Sequence, residues 1–211
     1  MNKRKTKSSR PRGAQAEKGR APAGRVISPR AWRDGHTAAL ARRLLGCSLV
    51  RLHPDGRREA RAITEVEAYH GEDDLACHAS KGRTARTEVL YGASGIWYVY
   101  LCYGVHEMLN LVVGPPGHPA AILIRGVDGL SGPGRLTRAL GIDRRLNGRP
   151  AARGSGLWIE RGRAAPRKEI EASPRIGIDY AGPVWTAKPW RFTWRKRANG
   201  SPSGSRGRSR N

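Results

Sequence analysis

The stretch ITEVEAYHGEDDLACH, residues 63–78, sets Glu65, Glu67 and Tyr69 at alternate positions and follows them with Glu72, Asp73, Asp74 and a lone His78. A carboxylate held in a site can deprotonate a water, and an imidazole can stack on a ligand, donate to it or accept from it. In an extended strand Ile63, Glu65, Glu67 and Tyr69 share one side, and Ala62, Thr64, Val66 and Ala68 the other. The glutamates then face either solvent or a polar cleft. An ordinary amphipathic strand whose acids pair with nearby arginines is the plainer of these two readings. A second cluster lies in IWYVYLCYG, where Trp97, Tyr98, Tyr100 and Tyr103 are drawn from a chain with only six Trp, six Tyr and one Phe. Tyr98 and Tyr100 share a face, which suits either plain core or a platform for stacking a flat ring beside the acidic strand. Asp73, Asp74 and His78 could be imagined around a metal, but they do not make a recognisable ligand spacing. Solvated turn acids and no metal are expected.

The elements that must position these residues are legible in outline. DGHTAALARRLLG places Ala39, Leu40, Leu44 and Leu45 at helical spacing, with Gly46 as its stop. CSLVRL and REARAITEVEAY flank HPDG and predict an antiparallel hairpin. GIWYVYLCYG and HEMLNLVVG predict a second strand pair turning near Gly104, and AAILIRGVDG a further buried strand. GPGRLTRALGI predicts a short helix, and LWIERG and RIGIDY late strands. One helix, many strands and a short helix point to an α+β fold: a single domain with a curved, largely antiparallel β-sheet and flanking helices. The length of 211 residues suits one domain.

Charge divides the chain. Residues 1–27 hold nine Lys/Arg and one acid, and residues 195–211 hold six Lys/Arg and no acid, with little to bury in either. Both are expected to be disordered basic tails around a folded part at 28–194 that carries about +9 of the +23 total. Such an excess favours a polyanionic partner, nucleic acid before membrane. No apolar run is long enough to span a bilayer and no apolar stretch follows the basic start, so an intracellular location is expected. Cys47, Cys77 and Cys102 are odd in number and in no CxxC pairing, so reduced thiols are expected rather than disulfides or a zinc ribbon.

EVEAYHGEDDLACHA, GRTAR, YVYLCYG, the asparagine of HEMLN, AILIRG, GPGRL, GLWIERG and KPWRF run in the order found in the alkyladenine (3-methyladenine) DNA glycosylases, and residues 28–194 as a whole resemble that family. The resemblance implies a monofunctional enzyme that flips alkylated purines such as 3-methyladenine and 7-methylguanine from duplex DNA and hydrolyses the N-glycosidic bond with an activated water. It implies Glu67 as the general base and Arg125 as its organising partner. Tyr69, His78, Tyr100 and Asn110 match the base pocket, and Tyr103 matches the wedge that fills the vacated stack. Arg83 and Arg86 read as phosphate clamps, with Lys188 on the same rim and the GPGRL glycines at a helix start for another phosphate. No cofactor is implied, the partner is double-stranded DNA containing damaged purines, and a monomer is expected. Cys77, His106 and Glu107 depart from the family's pattern and bear on the breadth of lesions excised. A basic RNA- or ribosome-associated binding protein would also explain the charge and the tyrosines, but it gives Glu67 no role.

Overall fold

The computed structural model describes residues 24–196. The helix α1 spans Thr37–Leu44, where the ring of His36 accepts from the Ala38 amide and Leu40, Ala41 and Leu44 turn inward. Gly46 ends it at φ +85°, and a Cβ there would lie 2.0 Å from the Arg163 carbonyl, so the approach admits only glycine. The strands β1 (Ser48–Leu52) and β2 (Arg58–His70) form the hairpin expected around HPDG, with Leu52 opposite Arg58. The strands β3 (Trp97–Cys102) and β4 (His106–Val112) form the second pair, and β5 (Ala120–Val127) lies between β4 and β2. A two-residue strand β6 (Leu130–Ser131) leads into α2 (Pro133–Ala139), and β7 (Leu157–Glu160) closes the far edge beside β1. The strands β8 (Ile170–Ser173) and β9 (Arg191–Trp194) pair with each other, and β9 also joins β2 along Glu65–Glu67; α3 (Gly182–Ala187) lies between them in sequence. Among the described residues every strand pairing is antiparallel, and with three short α-helices on a curved sheet the domain is α+β.

The sheet separates two environments. Trp97, Val99, Leu109, Leu111, Ile122, Ile124, Val66 and Ala68 turn to one face and form the main core with α1 and α2. Each such large apolar side chain contributes roughly 1.5–3 kcal/mol by leaving water. The intervening residues of the same strands, Tyr98, Tyr100, Met108, Asn110, Ala121, Leu123 and Arg125, line a cavity on the opposite face.

Two expectations need correction. The pairing of β2 with β5 slips between Ile63 and Glu65 and again between Glu65 and Val66. This irregularity inverts the alternation, so Ile63 joins Val66 and Ala68 in the core and does not share the side of Glu67 and Tyr69. RIGIDY is not a strand: residues 175–178 are irregular and run into a 3-10 turn at Asp179–Ala181. Gly177 takes φ +72°, which a ladder residue would not do, and Arg175 in the same segment turns inward to Asp74. LWIERG does supply β7, and the later strands are β8 and β9 rather than RIGIDY. The tail expectations fall largely outside the described residues; of residues 24–27, Val26 bridges Glu160 and the Ile27 amide donates to the Ile159 carbonyl. Cys47, Cys77 and Cys102 are free thiols.

Candidate active site

Strand register builds the cavity floor. Glu67 stands opposite Leu123, Leu123 opposite Asn110, and Asn110 opposite Tyr98, so one row crosses β2, β5, β4 and β3. Residues in register share a face, which is why positions scattered over the sequence meet here. The cavity of about 480 Å³ is walled by Tyr69, His78 and Tyr100 and bounded by the loops at 76–78 and 176–178. The His78 ring stands 4.5 Å from Tyr100 at 69°, and its Nδ1 lies 2.9 Å from the Tyr98 hydroxyl. Burial, aided by the Arg86 charge, pushes His78 down to about 4, so the ring is neutral at physiological pH. Asn110 is buried, and its Nδ2 donates to the Tyr98 carbonyl at 3.2 Å.

Glu67 is fully buried beneath this floor. Its Oε1 accepts from the Ile176 amide at 2.9 Å and meets Arg125 Nη1 at 3.3 Å, and its Oε2 accepts from the Tyr69 hydroxyl at 2.8 Å. Arg125 also donates from Nε to Glu65 at 3.0 Å, and Arg191 reaches Glu65 at 3.2 Å. Burial raises the Glu67 carboxyl above its ordinary range, against the pull of Arg125, the Ile176 amide and Tyr69. A carboxylate poised in this way is more basic than an exposed one while its negative charge remains compensated. Each carboxylate oxygen can accept two bonds, so Oε2 keeps one lone pair for a water.

Tyr103 stands at the tip of the β3–β4 hairpin, 90% exposed, and is the one non-glycine residue with positive φ among those described, at +49°. Gly104 follows at φ +71°, so a left-handed pair makes the tight turn and throws the tyrosine outward. Arg86 lies over the Tyr100 ring at 5.2 Å, at the cavity mouth. Arg83 is exposed and makes a two-point ion pair with Glu88.

Lys188 is elsewhere. Its ammonium sits 3.7 Å from the Trp185 ring and 4.6 Å from Trp190, in a separate cleft of about 420 Å³ lined also by His36, His70 and His118. The expected place on the common rim is thereby corrected, because the KPW turn folds the lysine back onto two indoles. The second glycine of GPGRL has a packing reason, since a Cβ on Gly134 would lie 2.8 Å from the His106 ring. Glu107 pairs with Arg144.

Asp74 is not a solvated turn acid. It is fully buried in a two-point ion pair with Arg175, at 2.6 and 2.8 Å, and also accepts from the His70 and Ala76 amides. Among the described residues no group of three or more His, Cys, Asp or Glu is arranged to hold a metal, and no helix is long and apolar enough to cross a membrane. Sequence reasoning also passed over Ile176 and Tyr180, which stand at the cavity mouth. The glycine between the two isoleucines of RIGIDY was the available signal that it is not an ordinary strand.

The family model described as "Methylpurine-DNA glycosylase (MPG)" matches residues 31–131 and 127–198. A protein of Methanocella arvoryzae is 45% identical over 186 residues, covering 79% of this chain and 91% of the relative. Proteins of Myxococcus xanthus and Psychrobacter cryohalolentis are 43% and 41% identical, over 79% and 80% of this chain and 91% and 92% of their own lengths. All three carry the name "Putative 3-methyladenine DNA glycosylase".

Proposed function

The chain belongs to the methylpurine-DNA glycosylase family, and on that premise we propose that it is a monofunctional 3-methyladenine DNA glycosylase, a hydrolase acting on alkylated purines, 3-methyladenine and 7-methylguanine, flipped out of duplex DNA. The observation that carries the reading is one compensated, fully buried carboxylate, Glu67, bonded to a tyrosine that walls an aromatic cavity. The cavity's volume lies in the range of about 300–1,000 Å³ usual for small-molecule sites.

The basic surface holds the phosphodiester backbone, Tyr103 enters the space left in the stack, and the extruded purine lies among Tyr69, His78 and Tyr100. A neutral His78 stacks without repelling a cationic base. As the bond from C1′ to the base nitrogen breaks, its electron pair goes to the purine, which leaves neutral if it was alkylated to a cation. The sugar acquires oxocarbenium character next to the Glu67 charge. Water bonds to C1′ and its proton passes to Glu67 Oε2, while Arg125 and the Ile176 amide hold Oε1. Among the described residues no lysine lines the cavity, which supports water rather than an amine as the nucleophile, without a Schiff base.

A base-release assay over duplexes carrying 3-methyladenine, 7-methylguanine, hypoxanthine and ethenoadenine tests this, with Glu67→Gln alongside. Release of 3-methyladenine that disappears in the variant is expected. Undiminished release by Glu67→Gln would remove the proposed base, and no release from any lesion would sink the reading altogether.

A further inference from the structure

Arg175 and Asp74 are 101 residues apart in sequence and both side chains are completely buried. Arg175 Nη1 donates to Asp74 Oδ2 at 2.6 Å and to the Ala68 carbonyl at 2.8 Å, and Nη2 donates to Oδ1 at 2.8 Å. Its Nε has no partner. Buried ion pairs are weak sources of net stability, and an orphaned donor makes this one weaker still. What the pair holds is a better account of it. The residue after Arg175 is Ile176, whose amide reaches Glu67. The guanidinium lies 4.7 Å from the centre of the Tyr69 ring on the cavity side and 5.2 Å from Trp190 on the other. Asp74 accepts from the His70 and Ala76 amides, and its own carbonyl accepts from the Cys77 amide at 2.7 Å, which fixes the segment leading to His78. Three segments that line the cavity, β2 at Tyr69, the turn at 74–78 and the loop at 175–178, thus converge on one pair. Gly177 follows Ile176 at φ +72°, and the loop's other anchors, Arg191 on the Pro174 carbonyl and buried Ile178, do not touch the Ile176 amide itself.

We infer that the Asp74–Arg175 pair is the positioning device of the hydrolytic site, holding the Ile176 amide on Glu67 and the Tyr69 and His78 walls in register. The inference rests on the reading of Glu67 as general base. Arg175 and Asp74 touch no reacting atom; they act through the residues they hold. The groups facing Glu67 are Arg125 from β5, Tyr69 and Glu65 from its own strand, Arg191 from β9 through Glu65, and the Ile176 amide from the loop. Releasing that amide removes a donor from the charged form, so the carboxyl becomes harder to ionise and the acid limb of the rate profile moves to higher pH.

Arg175→Lys keeps the charge and loses the two-point fork. We expect single-turnover excision of 7-methylguanine at saturating enzyme to fall about 100-fold, the scale of a misplaced catalytic group, with the acid limb displaced upward. Binding to an uncleavable lesion duplex should stay within a few-fold of the parent protein. An unmoved acid limb, or equal losses in rate and binding, overturns the inference. If Arg175→Lys shows no cooperative thermal transition, Asp74→Asn, which keeps the shape and weakens the same fork, carries the same test with the same outcomes. Glu67→Gln is run beside them: its retention of activity would bring down the reading of Glu67, whereas its inactivity together with a parental profile in the clamp variants brings down the clamp alone.

Discussion

Two cavities of similar size lie on either side of the buried Arg175 guanidinium, which stands 4.7 Å from Tyr69 of one wall and 5.2 Å from Trp190 of the other. The one of about 480 Å³ shows tyrosine rings, a neutral histidine and an amide, with its carboxylate sealed below the floor. The other, of about 420 Å³, gathers His36, His70, His118 and Lys188 with Glu72 and Asp73. By its histidines and carboxylates alone the histidine cleft would be the more reactive of the two, since the aromatic cavity is lined by a single histidine and no carboxylate. Its groups, however, satisfy one another: His70 Nδ1 meets the Thr37 hydroxyl at 2.7 Å and His118 at 3.3 Å, and His36 caps α1. Burial and the neighbouring imidazoles push His70 down, and the acids at its edge face water. Of the two, only the aromatic cavity has behind its wall a fully buried carboxylate held by an arginine, a backbone amide and a tyrosine, the arrangement on which the proposed chemistry rests.

The sharpest test of that contrast is Glu67→Gln, which should lower excision by about 10²–10⁴-fold, the range for a general base, while lesion-duplex binding is retained. Tyr103→Ala should come next, with a loss of about 10- to 100-fold, matching the few kcal/mol of unstacking that a wedge offsets. Its loss in excision and in flipping, followed by the fluorescence of ethenoadenine, should exceed any loss in binding to undamaged duplex; parallel losses would argue that Tyr103 is only a surface contact. A smaller effect concerns His78. Its folded value of about 4 lies below the ordinary 6.5, so between these values the unfolded chain takes up a proton that the folded ring refuses. The contribution to stability is intact above 6.5 and is lost as pH falls toward 4. An NMR titration should show the ring neutral at pH 5; a midpoint near 6.5 would mean that the cavity is open to water. The smallest effect belongs to the cleft: His118→Ala should leave single-turnover excision within about twofold, as for substitutions remote from a site, and a larger loss would erase the distinction between the two cavities.

How much of this was legible follows from the range of the interactions. The hairpins of β1–β2 and β3–β4 and the strand β5 depend on alternation and turn chemistry over a few residues, and they stand where pattern placed them. Tyr69, His78, Tyr100, Asn110 and Arg125 line one cavity, and Glu67 lies buried behind it, bonded to Tyr69 and Arg125, although only their motifs, read in order, pointed there. Lys188 belongs to another cleft, and Arg83 is engaged by Glu88. Asp74 reads locally as one more acid in a polar turn, and nothing within reach of it in sequence announces Arg175. Ile176 and Ile178 alternate as a strand would, yet Ile176 is half exposed over the site and Ile178 is buried.

The sequence by itself determined the charge, the strands and the set of side chains able to bind and hydrolyse, because composition and local periodicity act on neighbours in the chain. Tertiary structure decided which of several acids lost its water. Glu65, Glu67, Glu72, Asp73 and Asp74 look alike within the stretch at 63–78, but a slipped register in β2 and a loop from beyond residue 170 bury two of them and give each a different set of donors. The basicity of a carboxylate depends on solvent exclusion and on donors brought from far along the chain, and neither exists until the sheet and that loop close over it.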